Sequence, residues 1–126
     1  ARVGLFPDFG GTFLLPRLVG PARAAELFYT GEMISAAEAA RIGMVNRVVP
    51  AARLEEEFHA LAERLAAAPP LAVRGIKPVL FGDALDALRR AMDAEIARQV
   101  ECFRSADAAE GMSAFFEKRK PIFRGQ

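Results

Sequence analysis

The chain has 126 residues, 52% of them hydrophobic, and 17 Lys and Arg against 16 Asp and Glu leave a formal net charge of +1. These figures exclude a disordered polar chain and give no field that would recruit nucleic acid or an anionic membrane surface. A single cysteine, Cys102, excludes an internal disulfide. With no apolar run long enough to span a bilayer and no basic-then-apolar leader in ARVGLFPDFGG, the expected setting is the reducing cytoplasm.

In chain order, Pro7-Asp8-Phe9-Gly10-Gly11 is turn chemistry, a proline fixing the approach and glycines available for positive φ. Thr12 is placed to cap a helix through Leu15, which Pro16 should either delay or kink. Gly20-Pro21 breaks the run, and a second helix from Ala22 to Tyr29 ends at Gly31, where glycine suits a left-handed cap. Ser35 and Glu38 form a capping box that opens a short helix stopping at Gly43. MVNRVVP, residues 44–50, is the one predicted strand, rich in β-branched residues and closed by proline. Leu54, Phe58, Leu61 and Leu65 then recur at helical spacing until Pro69-Pro70. Residues 71–80 read as a further helix interrupted by Gly75 and Pro78. The longest periodic segment, Ala84 to Phe103, carries Leu85, Leu88, Met92, Ile96, Val100 and Phe103 as one apolar stripe. A last helix spans Asp107 to Lys120, after which PIFRGQ trails away. The expected fold is mainly α with one short strand, in one domain.

The glycines of the opening loop are not a phosphate fingerprint. A P-loop needs lysine and a hydroxyl residue after its last glycine, and Gly11 is followed by Thr12-Phe13. The dinucleotide pattern needs three glycines at a spacing that Gly4, Gly10 and Gly11 do not have. Asp8 has two readings. It is either an ordinary turn aspartate bonding its own backbone, or a carboxylate over an apolar floor of Leu5, Phe6, Phe9 and Phe13. Such a floor would raise its pKa and suit proton transfer. His59 and Cys102 lack sequence partners for catalysis, and no metal-ligating cluster is apparent. Lys118, Arg119, Lys120 and Arg124 form a basic cluster among Phe115, Phe116 and Phe123, placed either as a solvated helix end or as a phosphate contact.

The run GLFPDFGGTFLLPRLVGPARAAELFYTGEMISAAEAARIGMVNRVVP resembles the C-terminal half of the enoyl-CoA hydratase/isomerase (crotonase) family, with its G-x-x-P-x-x-GG-T, I-S-A-x-E-A and G-x-V-N-x-V-V-P segments. EGMSAFFEKRKPIF resembles that family's closing helix. The resemblance implies the helical C-terminal portion of a crotonase-type α/β spiral. Residues 1–50 would end the core, with its active-site loop, and residues 51–126 would form a helical assembly region. It also implies that the two oxyanion-hole N–H groups lie in an N-terminal half absent from this sequence, so the chain alone is expected to be inactive. The implied chemistry is proton transfer next to a CoA thioester. Asp8, where plain hydratases usually carry glycine, would be the catalytic acid and would shift the expectation toward isomerisation. Phe6, Pro7, Phe9 and Gly10 would bound the substrate, and Phe115 and Lys118 would reach the adenine-phosphate end of CoA. No metal or redox cofactor is implied, CoA being part of the substrate. The implied partners are an acyl-CoA thioester and further copies of the chain, in a trimer or hexamer, with neither nucleic acid nor membrane. The rival reading is a non-catalytic helical oligomerisation module, because the long apolar stripe needs cover.

Overall fold

The computed structural model describes residues 2–126 and is built from seven helices among them. These are α1 (Gly11–Val19), α2 (Pro21–Thr30), α3 (Ala36–Arg41), α4 (Leu54–Ala66), α5 (Pro70–Phe81), α6 (Ala84–Phe103) and α7 (Ala106–Phe116), with a single 3-10 turn at Ala51–Arg53 before α4. The predicted strand at 44–50 does not form, and no strand occurs among the described residues. Its β-branched residues favour extended backbone, but a strand needs a neighbour to take its N–H and C=O groups. Val45, Val48 and Val49 instead face Leu54, Phe58 and Leu61 of α4 across a cavity of about 420 Å³.

Local chemistry explains several helix ends. Ser35 Oγ accepts the Glu38 N–H at 3.1 Å and opens α3. Only half of the capping box forms, because the Glu38 carboxylate turns to Arg41 and Arg23. Gly43 closes α3 at a φ of 79°, with Met44 N–H donating to Ala39 O at 2.8 Å. Ser105 Oγ accepts the Ala108 N–H at 3.0 Å and opens α7. Neither Pro16 nor Pro78 stops its helix: α1 and α5 run through them unbroken. Pro70 takes the first turn of α5, where its missing N–H has no intrahelical partner to lose.

The last helix ends at Phe116 and not at Lys120, and the tail does not trail away. Arg119 N–H donates to Ala114 O at 3.0 Å and Lys118 N–H to Phe115 O at 3.3 Å, a Schellman pair with Lys118 in the left-handed position at φ 55°. The chain then folds back. Arg119 grips Glu110 through Nη1 and Nη2, Ile122 N–H donates to Glu110 Oε1, and the N–H groups of Arg124 and Gly125 donate to the two Asp107 carboxylate oxygens at 2.7 Å.

The core is small. Phe13, Ala24, Ala39, Ala108 and Ala114 are its buried apolar members. Gly111 lets α7 approach the N-terminal segment so closely that a Cβ there would lie 2.4 Å from the Val3 carbonyl. Helix α6 packs by an unexpected face. Its more buried positions are Ala84, Ala87, Leu88, Ala91, Glu95, Gln99 and Cys102, and of these only Leu88 belongs to the predicted stripe. The rest of the stripe faces outward, with Ile96 61% exposed.

Candidate functional site

The loop from Phe6 to Thr12 is built on a tight turn. Gly11 N–H donates to Asp8 O at 2.9 Å, and both central residues take positive φ, Phe9 at 55° and Gly10 at 75°. This is the backbone pattern of a type I′ turn. Glycine adopts it freely, and it also brings its Cα against Leu88, whose Cδ1 would sit 2.7 Å from a Cβ at Gly10. Phenylalanine adopts it only against steric cost, and its ring is 90% exposed. A bulky residue strained at a turn tip is typical of places where the surrounding structure over-determines the backbone.

Helix α6 is what over-determines it. Glu95, only 2% exposed, accepts the Gly10 N–H through Oε2 and the Thr12 N–H through Oε1, each at 2.8 Å, and also takes the Thr12 hydroxyl. The Glu95 carboxylate thus caps α1 from a helix more than eighty residues away, a position where negative charge meets the free N–H groups and positive end of the helix. Thr12, expected to cap α1, is a donor to that carboxylate. One turn along α6, Gln99 accepts the Phe6 N–H through Oε1 at 2.8 Å and donates through Nε2 to Asp8 Oδ2 at 3.3 Å.

The loop separates two cavities. On one side Phe6 and Pro7 join Pro16, Phe28, Tyr29 and Phe123 around a space of about 780 Å³. On the other, Asp8 and Phe9 face Met92, Ile96, Val100 and Phe103 of α6 across about 200 Å³. The apolar surroundings of Asp8 therefore come from the outward stripe of α6 and from Phe9, the one member of the expected floor in that pocket. Leu5 and Phe6 line the larger cavity, and Phe13 is buried beneath the Arg17 guanidinium, 3.4 Å from its ring centroid. Asp8 is exposed on its outer side. Of the other predicted site residues, Gly10 is buried with its N–H given to Glu95. Phe115 and Lys118 are exposed at the far end of α7 and line neither of these cavities. Glu95 and Gln99 are the residues sequence reasoning missed. Their spacing of four places them on one face of α6, but other exposed polar pairs of that helix share it, so the spacing alone does not single them out. Among the described residues no cluster of His, Cys, Asp and Glu could hold a metal ion, and no helix is long and apolar enough to cross a membrane.

This helical half-shell, with a strained acid-bearing loop clamped by a long helix, matches the enoyl-CoA hydratase/isomerase family model over residues 1–126, and the chain belongs to that family. It is 45% identical over 121 residues to a crotonyl-CoA hydratase of Syntrophomonas wolfei, covering 96% of this chain and 46% of that protein. It is 36% identical over 125 residues to an enoyl-CoA isomerase/hydratase of Mycosarcoma maydis, covering 99% and 46%. The crystal structure of an enoyl-CoA hydratase/isomerase from Pseudoalteromonas atlantica superposes with a TM-score of 0.87 at 35% identity, covering 98% of this chain and 50% of that one. The chain spans about half the length of the relatives it matches.

Proposed function

We propose that this chain is the C-terminal part of an acyl-CoA enzyme in which Asp8 moves a proton next to a CoA thioester, with double-bond isomerisation favoured over plain hydration. The observation that carries this reading is the placement of Asp8: a carboxylate at a strained turn, anchored from α6, beside a small apolar pocket. In an isomerisation the Asp8 carboxylate takes a proton from one acyl carbon and returns it to another, so it ends as it began. The enolate formed between the two steps needs oxyanion donors, which would come from the half of the relatives that this chain does not span. Phe6 and Pro7 would bound the acyl group, and Phe9 would close the pocket over Asp8. Lys118, on a turn that projects it from α7, would meet a CoA phosphate, with Phe115 against the adenine. Copies of the chain would associate through the exposed helical faces.

Asp8→Asn in the full-length protein tests the central claim, because it keeps the shape and removes the titrating group. The expected loss in kcat on an isomerisable enoyl-CoA is about 10²–10⁴-fold, with KM changing much less. Activity within a few-fold of the parent would make Asp8 an ordinary turn residue, for which asparagine is nearly as good.

A further inference from the structure

We infer that Gln99 is the positioning residue for Asp8, an inference that rests on the proton-transferring role proposed for that aspartate. The amide orientation of Gln99 is dictated by its neighbours. Phe6 N–H has only a proton to offer, so the atom 2.8 Å from it must be the acceptor, Oε1. That leaves Nε2 facing Asp8 Oδ2 at 3.3 Å, where an ionised carboxylate has only lone pairs to offer. Each end of the amide thus meets the one chemical partner it suits, and flipping it would break both contacts. Glu95, one turn earlier, fixes Gly10 and Thr12 on the other side of the same turn. Backbone and carboxylate are therefore referenced to the same two positions of one helix.

An exposed aspartate otherwise samples its staggered rotamers freely. The Gln99 contact to Oδ2 biases the side chain toward one rotamer, and among the described residues Oδ1 has no hydrogen-bond partner, leaving that oxygen available to exchange a proton beside the pocket. Misplacing a reacting group by about 1 Å costs on the order of 100-fold in rate, so the anchor belongs to the reaction as well as to the fold.

The test uses the full-length protein and two substitutions, one that alters a single end of the amide and one that removes both. Gln99→Glu keeps an acceptor for Phe6 N–H and replaces the donor facing Asp8 with a second carboxylate oxygen. Gln99→Met removes both contacts at similar volume. Positioning predicts that both variants lose about 10–100-fold in kcat with KM within about threefold, and that neither lowers kcat further when Asp8 is already Asn. Thermal unfolding of each variant identifies any that fails to fold; should Gln99→Glu be the one, Gln99→Met decides through its coupling to Asp8→Asn, since a loss independent of Asp8 would lower kcat in that background too. If Gln99→Glu keeps parental kcat while Asp8→Asn does not, Gln99 serves only the Phe6 backbone and the positioning role is overturned alone. If Asp8→Asn itself loses nothing, the catalytic reading falls and the positioning role with it.

Discussion

Phe9 and Lys118 both hold φ near 55°, where a side chain crowds its own backbone, and each marks a place the surroundings define. At Lys118 the surroundings are the end of α7, and glycine there would keep the Schellman turn while removing the ammonium group. Lys118→Gly in the full-length protein is thus expected to leave folding intact and to weaken CoA binding by about 1.5–3 kcal/mol, the scale of a charged hydrogen bond. Dephospho-CoA should bind the variant and the parent alike in a calorimetric titration. Equal losses for both ligands would place the lysine at the helix end only. Asp8 and Gly10 stood out in the sequence because turn chemistry is local. Glu95 did not: it is one of 16 acids, and nothing near it in sequence predicts that its partners lie at residues 10 and 12.

Among the elements, α6 was legible in its bounds and misleading in its orientation. The apolar stripe predicted Ala84 to Phe103 correctly, yet the inward face is three alanines, Leu88 and Cys102 with the polar Glu95 and Gln99. A stripe reports apolar periodicity, and here that periodicity does not coincide with the face packed within the chain. Proline weighed too heavily for α1, where propensity yields to packing against α2 and α6; α5 also runs through Pro78, and no packing among the described residues explains it. Because Glu95 satisfies two backbone donors at the start of α1, one on the N-cap Gly10 and one on Thr12, Glu95→Ala should destabilise the fold by roughly 2–4 kcal/mol, read by denaturant unfolding, whereas Glu95→Gln should cost less. The tail makes a different prediction. The Arg119 fork and the Ile122 N–H hold the Glu110 carboxyl down at about 2, below its ordinary 4.5. The folded value is depressed, so its contribution is complete above pH 4.5 and is lost as pH falls toward 2. Protection of the tail amides, taken relative to their intrinsic exchange rates, should fall across that window, and Glu110→Gln should flatten that fall, leaving the share of Glu117, whose carboxyl Arg119 also holds down.

For the whole molecule, every residue of α5 is exposed, including Leu71, Ile76, Leu80 and Phe81. A helix with no packed side is stable only against something else, and the proposed cover is the rest of the full-length protein and further copies of it. Ile76→Glu with Leu80→Glu should therefore lower the assembly order of the full-length protein in sedimentation, since each change places a charge in a contact made for apolar groups. An unchanged assembly would mean that this helix lies outside the contacts between copies. The clamp on the opening loop bears on time as well as on geometry. Its hydrogen bonds span 83 to 93 residues of sequence, so closing it costs roughly 4 kcal/mol of chain entropy before any constant. At about 5–20 residues per second on the ribosome, α6 emerges several seconds after the loop it must hold. The aspartate-bearing turn is then among the last features to form, and clamp mutations should speed unfolding far more than they slow folding.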